Sequence, residues 1–308
     1  MTGMDAARPR ALEHFLLTNF NVRLGWTRDV HGRTTLTPEW MENRWRLFET
    51  FCLPSVRCQT DPRFRWLVRF DPATPEAHRE RFRRLTTGMT NVIPLWRAEP
   101  FSAVIGALLD PSTELLLTTR LDNDDAIHRT AMARIRAAVG DAAPEFLNFS
   151  EGCVLVLTGD RPKMLRYSHD SNPFLSLVER VEITARGRRA CQSLAAGPLR
   201  ILASADRWLR LGRAAGRLPV SVRHGTRRLI GWLPATARCV DHRLAAEFAP
   251  VRQTSTEAMW LRVIHGRNAG RLGPSGDARS DACSMDGLEA AFGIRLPIDP
   301  DLGRVPIQ

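Results

Sequence analysis

A chain of 308 residues with 44% hydrophobic and 25% charged residues has ample material for a globular core, as one large α/β domain or two smaller ones. No stretch approaches the roughly 18 uninterrupted apolar residues that span a bilayer, and Phe15-Leu16-Leu17 is cut short by Thr18 and Asn19, so no secretory signal is expected. The formal net charge of +11 is local: between Arg186 and Arg238 twelve arginines stand against one acid, Asp206, and the remaining residues sum to zero.

The first predicted element is a strand from His14 to Val22, turning polar at Thr18-Asn19 and again at Asn21. Thr37-Pro38-Glu39 starts a helix, with a capping threonine, a proline in the first turn and an acid at the positive dipole end. Met41, Trp45, Phe48 and Cys52 give it one apolar face, and it is expected to stop before Pro54. Phe64–Phe70 is a second strand that delivers Asp71 at its end, and Thr74-Pro75-Glu76 opens another helix by the same device. Met89–Trp96 and Leu115–Thr119 are the third and fourth strands. Strand and helix alternate, which predicts an α/β fold with a mostly parallel central sheet and right-handed crossovers.

Beyond the fourth strand, Ile127, Ala131 and Ile135 repeat at helical spacing, with Gly140 as a stop. Phe146–Leu157 holds one or two further strands, interrupted at Ser150-Glu151-Gly152. Ser171-Asn172-Pro173 is expected to precede a short helix, Phe174–Arg180. Met259–Ile264 is a late strand followed at once by His265-Gly266, and Leu288–Phe292 a small terminal helix. The six cysteines show no CxxC pair and no zinc-ligand rhythm, so free thiols in a reducing, cytoplasmic setting are expected.

Leu121-Asp122-Asn123-Asp124-Asp125 is the segment richest in chemistry. It places three carboxylates at the carboxyl end of an interior strand, where open α/β sheets bind ligands. An EF-hand loop counted from Asp122 would need glycine and glutamate where Ile127 and Ala133 stand, so that reading fails. Two readings stay open: a solvated turn whose acids cap the next helix, and a divalent cation joining carboxylates that would otherwise repel, facing a phosphorylated ligand.

Five stretches carry a resemblance: HFLLTNFNV near the start, RWRLFETFCLPSVRCQTDPRFRWLVRFDPATP over 44–75, TTRLDNDDA over 118–126, SNPFLSLVE over 171–179 and MWLRVIHGRN over 259–268. In this order the chain resembles the rhamnosyltransferase family of bacterial glycosyltransferases, itself similar to the wider nucleotide-sugar enzymes of GT-A fold. The resemblance implies one GT-A-like domain: a nucleotide-sugar-binding core over 1–185, a basic helical insertion over 186–238, and the rest of the acceptor region with a tail over 239–308. It further implies Mn²⁺ or Mg²⁺ held by Asp124, with Asp122 near the metal or the ribose and His265 as a third ligand or phosphate contact. Thr18, Asn21 and Asp71 would line the nucleoside pocket, and Arg120 would pair with Asp122 or reach the diphosphate. The donor would be a nucleotide-diphosphate sugar, with rhamnose as the sugar the family name offers, and the acceptor a glycan or lipid-linked glycan.

Inverting transfer needs one base for the acceptor hydroxyl. Glu179 is the first candidate, from its place in the resembling stretch, followed by Asp170 and Glu151. Two departures stand out. Asn19 occupies a position where the family pattern leads one to expect arginine, and 186–238 has the look of an insertion. Its arginines, interleaved with leucines and with Trp208 and Trp232, suit an anionic membrane surface, with an unpartnered solvated lid as the alternative. Nucleic acid ranks third, because no module signature is present. The rival to an enzyme is a non-catalytic binding protein acting through that insertion on a transferase scaffold.

Overall fold

The computed structural model of the chain describes residues 11–22, 29, 32–97, 99–158, 161–183, 189–190, 249–254, 257–266, 268 and 284–302. The basic segment 186–238 falls outside the described residues except for 189–190. Among the described residues no helix is long and apolar enough to cross a membrane.

Four apolar runs form the parallel body of the main sheet: β1 (Leu12–Asn19), β2 (Arg65–Arg69), β3 (Val92–Leu95) and β4 (Leu115–Arg120). β1 lies between β4 and β2, with Leu17 opposite both Arg120 and Leu67. Strands covered on both faces read as unbroken hydrophobic runs, and Leu115, Leu116 and Leu117 are all buried. The sheet continues past β4 through β6 (Glu145–Phe149), β9 (Ser176–Arg180) and β12 (Val251–Thr254), in the order β12-β6-β9-β4-β1-β2-β3. Only β9 runs against its neighbours. The mostly parallel α/β architecture expected from the sequence is therefore present.

The helical layer begins at α1 (Pro38–Leu47), where Thr37 Oγ1 accepts the Trp40 N–H at 3.2 Å. Its apolar side drives Trp45 and Phe48 into an aromatic cluster with Phe20, Phe70 and Phe82, all buried, with ring centroids 4.3 Å apart for Phe20–Trp45 and 4.8 Å for Phe20–Phe70. Each fully buried side chain of this size contributes about 1.5–3 kcal/mol. Contrary to the expected stop before Pro54, the helix widens into a π-turn over Phe48–Cys52 and continues as α2 (Leu53–Arg57). Proline lacks the N–H that a regular turn would use, and the Leu53 N–H reaching back to Phe48 O carries the chain past it. α3 (Glu76–Leu85) covers the same face, and α4 (Phe101–Leu108) covers the other through Phe101 and Ile105.

A second, four-stranded sheet has the order β5-β13-β7-β8, from β5 (Ala126–Ile127), β7 (Glu151–Val156), β8 (Lys163–Ser168) and β13 (Trp260–Ile264), while β10 (Glu182–Ile183) and β11 (Arg189–Ala190) form a separate antiparallel pair. The helix anticipated from Ile127 starts later, as α5 (Ala131–Ala137), because Ala126 and Ile127 pair with Leu261 and Trp260. The terminal α6 (Leu288–Phe292) packs against this sheet. The main sheet takes strands from Leu12 to Thr254 and the second from Ala126 to Ile264, so the two overlap along the chain.

The expected helix over Phe174–Arg180 is the clearest departure. The segment is strand β9, paired with β4 on one side and β6 on the other. Asn172 explains the start: its N–H donates to Asn148 Oδ1 at 3.0 Å, its Nδ2 to Phe149 O at 2.7 Å, and its Oδ1 accepts the Phe174 N–H at 2.7 Å. A turn sewn to the end of β6 in this way launches the chain back along the sheet rather than into a helix.

Candidate active site

The acidic loop leaves β4 at the carboxyl edge of the main sheet and enters the second sheet at β5, so it is the seam between the two. Each of its four polar residues is held by a partner, and Arg44 is shared by Asn123 and Asp124. Asn123 is buried, donates Nδ2 to Phe20 O at 2.8 Å and accepts Arg44 Nη1 at 3.2 Å, which fixes the loop on β1 and α1. Asp125, also buried, accepts the Val263 N–H at 2.7 Å and thereby fixes it on β13. Burial pushes the Asp125 carboxyl well up, and the neighbouring charges of Asp124 and Asp122 push the same way. Asp122 is held bidentately by Arg120, at 2.8 and 2.9 Å through Nη2, with both side chains half-buried.

Asp124 is where the site concentrates. Its Oδ2 meets Arg44 Nη1 from α1 and His265 Nε2 at 2.8 Å from the end of β13. Burial opposes its charge, but the Arg44 guanidinium and the His265 hydrogen bond outweigh burial and hold the carboxyl well below the usual range. His265 is itself fixed: its N–H donates to Asn268 Oδ1 at 2.7 Å, and Asn268 Nδ2 donates to Val263 O at 3.2 Å. Arg44 lies over the Trp40 ring, 4.9 Å from its centroid. Neither Arg44 nor Asn268 was singled out in the sequence reading. Both belong to quoted stretches, but the partner of Arg44 lies 80 residues away and leaves no local signal.

The other expected site residues divide by position. Asn21 and Asp71 meet at the ends of β1 and β2: Asn21 Oδ1 accepts the Asp71 N–H at 3.0 Å and Asn21 Nδ2 donates to Thr74 Oγ1 at 3.0 Å. Thr18 has no exposed surface, and its hydroxyl accepts Trp66 Nε1 at 2.9 Å, so it supports the edge rather than lining it. Asn19 Oδ1 accepts Arg69 Nε at 3.0 Å, which brings a guanidinium to this edge from the adjacent strand.

Glu179 lies on β9 opposite Leu116 of β4, three positions from the Thr119–Ser176 pair at the edge. At about 3.3 Å per strand residue, that is about 10 Å from the acidic loop's side of the sheet. Asp170 is exposed in the turn before β9, over the carboxyl end of β6. That turn is secured by Asn148 Nδ2 donating to His169 O at 2.9 Å and Gln253 Nε2 donating to Asp170 O at 2.8 Å. Asp170 therefore shares its edge with Asp124, whereas Glu179 does not. Glu151, at the start of β7, is half-buried.

Among the described residues, no three His, Cys, Asp or Glu side chains converge as a complete cation cage. Asp124 and His265 supply two donors at one point. That is a fit for a hard cation that keeps water and takes ligand phosphates for its remaining positions. His265 Nε2 would have to give up its hydrogen bond to Asp124 to serve as a ligand.

The fold is mixed α/β with a mostly parallel open sheet, and the carboxylates and histidine gather at its carboxyl edge, where sheets of this class bind ligands. The family model described as "Putative rhamnosyl transferase" matches residues 29–190, more than half of the chain, and the chain belongs to that family. None of the curated proteins matches it. Among solved structures it is similar to S. aureus TarS 1-349, at 12% identity and a TM-score of 0.38, with 82% of this chain and 60% of that one covered. The same protein in complex with UDP-GlcNAc matches at 11% identity and 0.38, over 85% and 59%. The chain thus spans about three fifths of the length of these structures.

Proposed function

We propose that the protein is a glycosyltransferase that moves a sugar from a nucleotide-diphosphate donor to a glycan or lipid-linked acceptor, with inversion. Family membership supports the reaction class, and rhamnose is the sugar its description suggests. The observation that carries the reading is the meeting of Asp124 Oδ2 and His265 Nε2, 2.8 Å apart, brought from different sheets to the carboxyl edge.

On this reading Asp124 and His265 hold Mn²⁺ or Mg²⁺. Such an ion neutralises the charge that builds on the departing nucleotide diphosphate. Asp122, oriented by Arg120, lies beside them toward the ribose, and Asn21 and Asp71 border the nucleoside side. Asp170 takes the proton from the acceptor hydroxyl as that oxygen attacks the anomeric carbon, while the bond from that carbon to the diphosphate oxygen breaks. We prefer Asp170 to Glu179 because it is exposed on the same edge as Asp124, while Glu179 is buried within the sheet. The enzyme would work in the cytoplasm, with the arginine-rich segment 186–238 resting on the anionic inner membrane face.

Thermal unfolding with UDP, GDP or dTDP, each with and without Mn²⁺, tests the donor reading. One nucleotide should raise the melting temperature only when metal is present, and Asp124→Asn should abolish that shift. No shift with any nucleotide would favour a non-catalytic binding protein. Flotation with anionic and neutral liposomes tests the membrane contact, which equal recovery from both would remove.

A further inference from the structure

Arg44 has no place in the chemistry above, yet it is a buried cation in contact with the acidic loop. It is 6% exposed, its Nη1 bonds both Asp124 Oδ2 and Asn123 Oδ1, and its guanidinium lies over the Trp40 ring. Asp124 is buried, and a buried carboxylate is stabilised by a cation placed beside it. His265 donates to the same oxygen but carries a full positive charge only when protonated. Arg44 is always charged, and α1 delivers it, so the counter-charge comes from a rigid element anchored by the Thr37 cap and the aromatic cluster.

We propose that Arg44 is the resident counter-cation of the acidic loop, and that it sets the loop's affinity for a divalent ion by competing for Asp124. The inference rests on the reading of Asp124 and His265 as ligands. Two physical consequences follow from the geometry. Without an ion, Arg44 holds Asp124 Oδ2 against His265 Nε2, so the site is preformed. When an ion binds, it must share an oxygen already occupied by a guanidinium, and two cations on one carboxylate repel. Arg44 therefore lowers affinity for the bare ion. A ligand that brings negative phosphate oxygens relieves that repulsion, so ion and nucleotide diphosphate should bind together far better than the ion alone.

The test is Mn²⁺ binding measured by the electron paramagnetic resonance of the free ion, on the full chain, with and without UDP. Wild type should bind Mn²⁺ weakly alone and more tightly with UDP. Arg44→Gln should bind Mn²⁺ alone about tenfold more tightly or better, with less further gain from UDP, and Arg44→Gln combined with Asp124→Asn should lose the gain. Equal Mn²⁺ affinity in wild type and Arg44→Gln, with binding still abolished by Asp124→Asn, would overturn the role of Arg44 and leave the ligand reading standing. Binding by neither, or binding indifferent to Asp124→Asn, would instead remove the ligand reading and the inference with it. Should Arg44→Gln fail to fold, the wild-type protein answers through nitrogen-15 resonances. Titration with Mg²⁺ should move the Arg44 Nε–H signal with the midpoint of ion binding, and an unmoved signal would overturn the proposal.

Discussion

Beneath the site, His14 offers a sharp quantitative test. It sits on β1 with 2% exposure, and its Nε2 meets Thr119 Oγ1 at 2.8 Å, which in turn lies 2.7 Å from Ser176 Oγ. This chain of contacts ties β1, β4 and β9 together one layer below the acidic loop. Burial, helped by the charge of Arg136 and opposed by that of Asp61, pushes the imidazole down from 6.5 to about 3. The folded protein therefore keeps His14 neutral at pH 5, while the unfolded chain protonates it. A depressed histidine contributes stability that is present above pH 6.5 and lost as pH falls toward 3. At pH 5 the unfolded imidazole is protonated over neutral by roughly 30-fold, which favours unfolding by about 2 kcal/mol, against about 0.2 kcal/mol at pH 7. This difference holds for any folded pKa well below 5. Urea unfolding of wild type and His14→Gln at pH 7, 6 and 5 isolates it, because the amide of glutamine still reaches Thr119 and all other titrating groups are shared. Wild type should lose about 2 kcal/mol more than the variant between pH 7 and pH 5. Parallel loss in the two proteins would mean that His14 is solvated and the buried chain of contacts is not formed.

Three further outcomes follow from the site. Asp170→Asn should lower kcat by about 10²–10⁴ with nucleotide affinity unchanged, whereas Glu179→Gln should alter unfolding free energy and leave kcat near wild type; steady-state kinetics beside thermal unfolding separate them. Gly152→Ala would place a Cβ 2.1 Å from Trp260 Cδ2, so the β7–β13 contact must open. A loss of about 1–3 kcal/mol is expected, with weaker metal-dependent nucleotide binding because Trp260 begins the strand that ends at His265. Asp125→Asn should bind Mn²⁺ and nucleotide as wild type does, since the amide oxygen can still accept the Val263 N–H, and calorimetric titration would show otherwise if Asp125 were a ligand.

Much of the parallel body could be read from the residues, because buried parallel strands are written as unbroken apolar runs and Thr-Pro-Glu marks the starts of α1 and α3; only Thr37 caps its helix, however, since the Thr74 hydroxyl donates to Asp71 O instead. The same logic put the Asp122–Asp125 cluster at the end of such a strand, whereas a role for His265 is implied only by the family resemblance. That Phe174–Arg180 holds a strand where its sequence suggests a helix has a physical cause. Phe174-Leu175-Ser176-Leu177-Val178 is too short and too uniformly apolar for periodicity to separate strand from helix. Ser171-Asn172-Pro173 also imitates a helix cap, when in fact Asn172 binds the end of β6. Glu179 went with that segment: placed on a helix it could have faced the site, but on β9 it faces the interior of the sheet. Arg44 was invisible for a different reason. On its helix it is one arginine among several, and only the tertiary fold brings it to Asp124.

The seam between the sheets also explains why the chain tolerates adjacent buried aspartates. Asp124 and Asp125 would repel if both were charged, and burial alone would protonate both. Their surroundings divide them. Asp124 faces Arg44 and His265 and remains an anion, while Asp125 faces a backbone N–H and is pushed toward the neutral acid by burial and by its charged neighbours. On the proposed reading the first carboxylate is the one open to a cation, while Asp125 acts as a strut between the loop and β13. The division depends on α1 supplying Arg44, so a helix that packs through aromatic residues on its apolar side also fixes the charge state of the loop above it. A site built this way gains its geometry from packing that sequence patterning encodes strongly, and its electrostatics from one long-range pair that patterning does not encode at all.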